Sequence, residues 1–265
     1  LVRELARLES PQARFRSSVG AAILGALFAW LGLRVARHGY RHRHPKQRDH
    51  VFLASALVGF LLFVWMGYKT VDWLAEVEPL GPMGADVYRL LLPVAGVVIV
   101  VRLAAGVLVA AAAAPVCALF AGYMMDGNLT FAAYTLAGGL AAAAVEGGAK
   151  RMVLSAGLRA GVAQALVAVG ASLLDADLEL QEAGVRVAGA LGSGLLAALL
   201  ARATLPAVEA LFGYTTPTGL AALADAEHPL LRELLVESPG TYHHSLHVGA
   251  LAEAGAAAIG SDRLL

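Results

Sequence analysis

Apolar runs that recur between residues 18 and 205 constrain the fold of this chain more than any other feature. A helix needs about 20 mostly apolar residues to cross the ~30 Å hydrocarbon core of a bilayer, and most of the runs approach that length. The chain is 58% hydrophobic and 15% charged, whereas soluble domains carry about 25% charged residues. The surplus of apolar residues predicts membrane insertion rather than one large soluble core.

We predict an all-α fold in which about seven transmembrane helices form a polytopic bundle. The run Tyr88–Met125 is about twice as long as one crossing requires, so we interpret it as two crossings with Arg102 at a tight turn between them. Gln164 is expected to bond across helices, and Pro206 is expected to end the last helix. The predicted segments are Val19–Val35, Val51–Tyr68, 86–101, 103–125, Leu129–Val145, Leu154–Leu174 and Val187–Leu205.

Charges between the apolar runs are segregated by sign, which predicts the orientation of the bundle. The segment Arg37–His50 is basic, and two crossings in 86–125 place the basic end of Glu146–Arg151 on the same side and the acidic segment Asp175–Arg186 on the other. Because basic loops stay in the cytoplasm, the chain after the seventh helix is predicted to be cytoplasmic. The histidines within Arg37–His50 alternate irregularly with cations that would repel a metal, so a solvated loop is predicted there. A formal net charge of zero predicts no nucleic-acid polymer as a partner.

The stretch Val236–Val248 concentrates side chains that suit chemistry. Pro239-Gly240 and Thr241 precede an apolar run with helical spacing. Since proline and glycine mark turns and threonine can cap a helix, these signals predict a helix that runs to about Ile259.

Three histidines lie in the first turn of this predicted helix. His244 and His247 are three residues apart and share a face, while His243 is expected to point elsewhere. A histidine held on a rigid helix is a good metal ligand. One ligand makes no hydrolytic metal site, so surface histidines at a helix start are the alternative interpretation.

The tail Leu205–Leu265 contains four ordered pieces that resemble a known family. They are LPAVEALFGYTT (205–216), HPLLRELL (228–235), ESPGTYHHSLHVGALAEAGA (237–256) and AIGSDRLL (258–265). Together they resemble the junction and first helices of the seven-transmembrane HD-domain phosphodiesterases, bacterial membrane proteins that hydrolyse cyclic di-AMP. In that family the histidine directly before the serine is a metal ligand, and here that residue is His244.

The resemblance implies a division of the chain into three parts. Residues 1–17 would end an extracellular or juxtamembrane region, 18–205 would form the transmembrane domain, and 206–265 would be the linker and the N-terminal part of a cytoplasmic HD domain. The family's His-Asp doublet belongs beyond the last residue present, and no His-Asp pair follows His247. We therefore expect a fragment that ends inside its hydrolase domain and is inactive by itself.

The function that the resemblance implies is metal-dependent hydrolysis of cyclic di-AMP to linear pApA, controlled by a signal received through the membrane region. Two divalent transition metals, manganese or iron, would generate the attacking hydroxide. His244 would bind one metal, and His243 and His247 would lie beside the ligands or face the substrate. The implied partners are the cyclic dinucleotide, the lipid bilayer, an extracellular ligand of a preceding domain and a second copy of the chain, in the bacterial plasma (inner) membrane.

Two other classes of function stay open at this stage. The first is a membrane signal transducer or scaffold whose HD-like tail is not catalytic, and ligands beyond Leu265 would distinguish it from the enzyme. The second is a transporter, which would show inverted repeats and broken helices. Pro93 and Pro115 could break helices, but the sequence contains no convincing internal repeat.

Overall fold

A computed structural model describes residues 47–77, 88–145, 149–174, 180–214, 216 and 229–259. Within these ranges every regular element is a helix, as the predicted all-α fold requires. The helices are α1 (Gln47–Val77), α2 (Gly96–Ala105), α3 (Val107–Met124), α4 (Leu129–Ala143), α5 (Ala149–Leu174), α6 (Leu180–Phe212), α7 (Pro229–Glu237) and α8 (Pro239–Ala258). The predicted segments 1–17 and Val19–Val35 lie outside the described residues.

Four of the described helices are long and apolar enough to cross a membrane, namely α1, α3, α5 and α6. Helices α2 and α4 are apolar but shorter, with 10 and 15 residues. They complete a bundle in which each helix packs on at least two others. The chain is a multi-pass membrane protein.

The bundle carries small residues inside and large apolar residues outside. On α5, Ala156 and Ala160 are 2% and 0% exposed, whereas Leu158 and Leu166 are 48% and 69% exposed. Burying a leucine from water is worth roughly 2 kcal/mol, so a soluble fold would not leave such a face open. In a bilayer the outer face meets lipid, and small inner residues let the helices approach closely.

One end of the bundle brings together the start of α1 and the end of α6. Arg48 donates to the Gly213 carbonyl at 3.1 Å, and the Tyr214 hydroxyl donates to Asp49 at 2.7 Å. The basic segment Arg37–His50 of the sequence leads into this end. We call it the basic end.

The opposite end joins the later turns of α1 to the turn between α3 and α4. The Tyr68 hydroxyl donates to Asp126 at 2.8 Å, and Arg89 forms a 2.6 Å ion pair with Asp72. Arg186, the last residue of the acidic segment 175–186 of the sequence, lies in α6 on this side. We call it the acidic end.

The chain reverses direction at Gly106, between α2 and α3. Gly106 has a φ of 94°, which glycine adopts without steric cost. Val98 and Ala114, equally far before and after it in sequence, both lie next to Gly139 of α4, at 3.3 and 2.9 Å from the position that a Cβ would occupy. The two helices therefore form a hairpin, as the two-crossing interpretation requires, but Arg102 is not at the turn.

Arg102 instead lies within α2 and caps α4 at the basic end. Its Nε donates to the Ala143 carbonyl and its Nη2 to the Val145 carbonyl, both at 3.0 Å. Carbonyls at the end of a helix lack intrahelical partners, and a cation there is favourable. The tight turn was predicted at Arg102. It lies at Gly106 instead, because glycine adopts the positive φ that this turn needs.

Pro93 interrupts the helical path ahead of α2. The backbone there forms turns, and the carbonyls of Leu90 and Leu92 receive hydrogen bonds from other helices. Tyr134 of α4 donates to the Leu90 carbonyl at 2.5 Å, and Ser193 of α6 donates to the Leu92 carbonyl at 2.7 Å. Irregular backbone at membrane depth requires such partners because no bulk water reaches it.

Pro115 and Pro206, by contrast, lie inside α3 and α6 without ending them. The prediction that Pro206 ends the last helix was wrong. A proline removes a single backbone hydrogen bond, a loss that packing neighbours can offset in membrane helices. Helix α6 ends instead at Gly213, whose φ is 62° and whose N–H donates to the Glu209 carbonyl at 2.9 Å.

Glycines let α5 and α6 approach until their backbones touch. A Cβ on Gly194 of α6 would lie 2.6 Å from the Cα of Gly161 in α5. Gln164, further along α5, is fully buried against Gly138 of α4. Among the described residues neither amide atom of Gln164 has a hydrogen-bond partner, so the predicted cross-helix bond is not found there.

Candidate functional site

Helices α7 and α8 follow α6 in the chain, and α6 ends at the basic end. In α8, Ser238 is the N-cap and Pro239 the first helical residue, a position where its missing N–H is not needed. Ser238 Oγ lies 2.8 Å from Thr241 Oγ1. Ile259 is the C-cap, close to the predicted end. The start lies ahead of Thr241, so the histidines occupy the second and third turns, not the first.

All three histidines of α8 are exposed. Successive helical residues are about 100° apart, so His247 points between His243 and His244, and the three rings cover an arc of roughly 100°. His243 therefore shares a face with His247, which corrects the expectation that it points elsewhere. Its ring meets the Tyr242 ring edge-on, with centroids 5.7 Å apart.

The described residues do not complete a metal site around these histidines. No group of three or more histidine, cysteine, aspartate or glutamate side chains suited to a metal is found in the described ranges. A hydrolytic metal needs at least three protein donors, and adjacent imidazoles on one helix supply fewer. The described residues therefore supply at most part of the donor set of the two-metal centre that the resemblance implies.

A second concentration of polar groups lies at the acidic end, which the sequence analysis did not single out as a site. Arg89 pairs with Asp72, and its guanidinium lies 4.6 Å from the centre of the Tyr68 ring. Arg186 of α6 pairs with Glu182 at 2.7 Å. Arg89 is the one basic residue of the otherwise acidic segment 72–89, and Arg186 is the one basic residue of 175–186. A single cation in an acidic segment was the sequence feature from which these two residues could have been found.

Both arginines line a cavity of about 270 Å³ between α4, α5, α6 and the turn ahead of α2. Tyr134, which donates to the Leu90 carbonyl, also lines it. The acidic end thus contains a preformed space beside the irregular backbone at Pro93.

Comparison with known proteins identifies the family to which the helix bundle belongs. A profile of the family described as "7TM receptor with intracellular HD hydrolase" matches residues 15–216, which is most of the chain. The chain belongs to this family. The match of the 7TM-HD family covers the transmembrane helices and stops ahead of α7 and α8, so it does not reach the three histidines.

Two curated relatives of this 7TM-HD chain share a name. It is 26% identical over 255 residues to the cyclic-di-AMP phosphodiesterase PgpH of Bacillus subtilis, which covers 91% of this chain and 35% of that protein. It is 46% identical over 72 residues to PgpH of Listeria monocytogenes, covering 27% of this chain and 10% of that protein. It is also 43% identical over 63 residues, 24% of this chain and 8% of the relative, to the uncharacterized protein slr0104 of Synechocystis.

The chain spans about a third of the length of the Bacillus relative. No solved structure matches it.

Proposed function

We propose that this chain is the membrane region and the start of the catalytic region of a phosphodiesterase that hydrolyses cyclic di-AMP to linear pApA. Family membership and the names of two relatives support this activity. The observation that supports this proposal most directly is the path of α6. This helix runs from the acidic end of the bundle toward the part of the chain that bears His244.

Helix α6 is continuous over 33 residues, from Leu180 at the acidic end to Phe212 at the basic end. At 1.5 Å per residue it is about 50 Å long, longer than the ~30 Å apolar core of a bilayer. Because no break interrupts the described helix between these two ends, it can pass a displacement at the acidic end to the exit of the chain. We infer that α6 carries the signal from the outer side to the hydrolase.

The basic end is assigned to the cytoplasm of a bacterium, on the inner side of its plasma membrane. Basic segments of the sequence adjoin this end and acidic segments adjoin the other, as the cytoplasmic preference of lysine and arginine requires. Helices α7 and α8 follow from this end, where a cyclic dinucleotide is available as substrate.

His244 is proposed as a ligand of one of two divalent transition metals, manganese or iron. The remaining ligands would come from chain outside the described residues, since these contain no complete donor set. Bound metals of this kind activate water and stabilise phosphoryl charge. His247 and His243 lie within roughly 100° of arc of this ligand and would orient it or contact the substrate.

The experiment compares wild-type and His244→Ala full-length protein in membranes, with cyclic di-AMP and added manganese or iron. We expect the substitution to abolish turnover and to lower bound metal, measured by mass spectrometry. Ser245→Ala is the matched control, because this hydroxyl bonds the Thr241 carbonyl of its own helix at 2.9 Å. Unchanged turnover in His244→Ala would remove this histidine from its role. If the wild-type protein is inactive with manganese and also with iron, the result favours the alternative of a non-catalytic signal transducer.

A further inference from the structure

Three arginines lie exposed on the long helices α5 and α6, namely Arg151, Arg159 and Arg202. Among the described residues none of the three has a hydrogen-bond or ion-pair partner. Helix α5 contains no acidic residue, and the nearest one to Arg202 on α6 is Glu209, two turns away and hydrogen-bonded to Thr216. A cation on the outer surface of a membrane bundle with no acidic partner is stabilised by an anionic group in its surroundings.

Two of these arginines, Arg151 and Arg202, lie at the same height on adjacent helices. Helices α5 and α6 are antiparallel, since the end of α5 is hydrogen-bonded to the start of α6. A Cβ on Gly157 of α5 would lie 2.6 Å from the Cβ of Ala198 in α6, so these two positions are level. Arg151 precedes Gly157 by six residues and Arg202 follows Ala198 by four, so at 1.5 Å per residue their heights agree to within about 3 Å.

Both arginines lie on the outer face of the α5–α6 pair. Arg151 is three residues before Leu154 and Arg202 is three residues after Leu199, and both leucines are exposed; residues at this spacing share a helix face. Ala198, one turn before Arg202, packs on α5, so Arg202 lies beside the seam between the helices. Packed helix axes are about 8–10 Å apart, a gap across which two long side chains can hold one headgroup.

The depth of this pair matches the headgroups of one leaflet. Helix α5 has 26 residues and is therefore about 39 Å long, so when centred it extends about 4 Å beyond each side of the ~30 Å apolar core. Arg151 is the third residue of α5, at the basic end. Arg159 lies about 12 Å deeper and, two residues from both Gly157 and Gly161, points roughly 200° away from the contact with α6.

We propose that Arg151 and Arg202 together bind the phosphate of one anionic phospholipid in the leaflet at the basic end. A guanidinium fork matches phosphate oxygens, and basic sites between transmembrane helices bind anionic headgroups. The acyl chains lie against the outer leucines of the two helices, a contact that a free phosphate ion cannot make. That this leaflet faces the cytoplasm rests on the proposed function, whereas binding of the lipid does not.

The test measures binding of phosphatidylglycerol and phosphatidylcholine with identical acyl chains to the full chain in uncharged detergent, by native mass spectrometry. We expect the wild type to prefer phosphatidylglycerol by roughly tenfold, and the double variant Arg151→Gln with Arg202→Gln to lose this preference. Arg159→Gln is the matched control, because it removes the same charge from the outer surface of α5 but away from α6, and it should keep the preference.

The single variants distinguish one shared headgroup from general attraction to charge. If both arginines hold the same phosphate, Arg151→Gln and Arg202→Gln should each lose most of what the double variant loses, so their effects are not additive. The double variant should unfold at the wild-type temperature in nanodiscs of phosphatidylcholine, because neither arginine bonds another described residue. A lower temperature would assign the arginines to contacts inside the protein and overturn the lipid site.

Three other results would also overturn the proposal. They are a wild-type preference in the double variant, a loss in Arg159→Gln as large as in the double variant, and displacement of the lipid by inorganic phosphate at concentrations where phosphatidylglycerol itself displaces it. An intact lipid preference in a full-length protein without phosphodiesterase activity would count against the proposed function alone.

Discussion

The hydroxyl of Tyr134 donates to the carbonyl of Leu90 at 2.5 Å and so closes the helix break made by Pro93. The two residues are far apart in sequence, on α4 and on the turn ahead of α2. Ser193 of α6 does the same for the Leu92 carbonyl. Three parts of the bundle are thereby held together at one irregular stretch of backbone, which would be costly in lipid without these partners.

Removing these hydroxyls is expected to destabilise the bundle. Tyr134→Phe keeps the stacking on Phe131, whose ring centroid lies 5.8 Å away, but leaves the part-buried Leu90 carbonyl without this donor. The expected loss is about 1–2 kcal/mol of unfolding free energy, measured by denaturation in mixed micelles. Ser193→Ala should cost less, because the Val94 N–H still donates to the Leu92 carbonyl at 2.8 Å. Ser155→Ala is the control, since this hydroxyl bonds the Met152 carbonyl of its own helix, and a loss as large in the control would contradict the assignment.

A side chain at Gly194 is expected to separate α5 from α6. The Cβ of Gly194→Ala would collide with the backbone of Gly161, and overpacking of this kind costs about 1–3 kcal/mol. Gly170→Ala in α5 meets nothing within 4 Å and should be neutral or slightly stabilising, because alanine has the higher helix propensity. Equal stability of the two variants in thermal unfolding would show that the two helices do not touch there.

Replacement of Arg102 should loosen the basic end of the bundle. Arg102→Leu removes two hydrogen bonds to carbonyls at the end of α4, and charged hydrogen bonds of this type are each worth about 1.5–3 kcal/mol. Hydrogen exchange at the last turn of α4 should rise in this variant. Arg202→Leu, which alters an exposed arginine on α6, should leave exchange there unchanged, and faster exchange in both would refute a specific cap.

The orientation of the bundle is open to cysteine labelling in intact cells. These 265 residues contain one cysteine, Cys117, which is buried, so Cys117→Ser gives a silent background when this chain is expressed. Val236→Cys on α7 is expected to react with a membrane-impermeant maleimide only after permeabilisation. Leu129→Cys, at the acidic end and 82% exposed, should react in intact cells. The reverse pattern would place the histidine helix outside and end the proposed access to a cytoplasmic nucleotide.

The histidine helix was predicted well because its signals are local. A proline, a capping residue and helical spacing predicted a helix ending near Ile259, and the structure has α8 from Pro239 to Ala258. The partners of His244 could not be predicted, because ligands converge from distant parts of a fold. The arginines of the acidic end were missed for the same reason: Arg89 and Arg186 meet across a cavity only when α4, α5 and α6 are packed.

What the sequence by itself determined is the membrane character of the chain, the approximate positions of the apolar helices in its described part and the segregation of its charges by sign. These follow from length, hydropathy and charge, which act segment by segment. Tertiary structure alone decided that the chain turns at Gly106 rather than at Arg102, that Pro93 breaks a helix while Pro206 does not, and that two arginines share one cavity. The physical reason is that a proline, a charge or a freed carbonyl is tolerated only where another helix supplies its partner, and that partner is distant in the sequence.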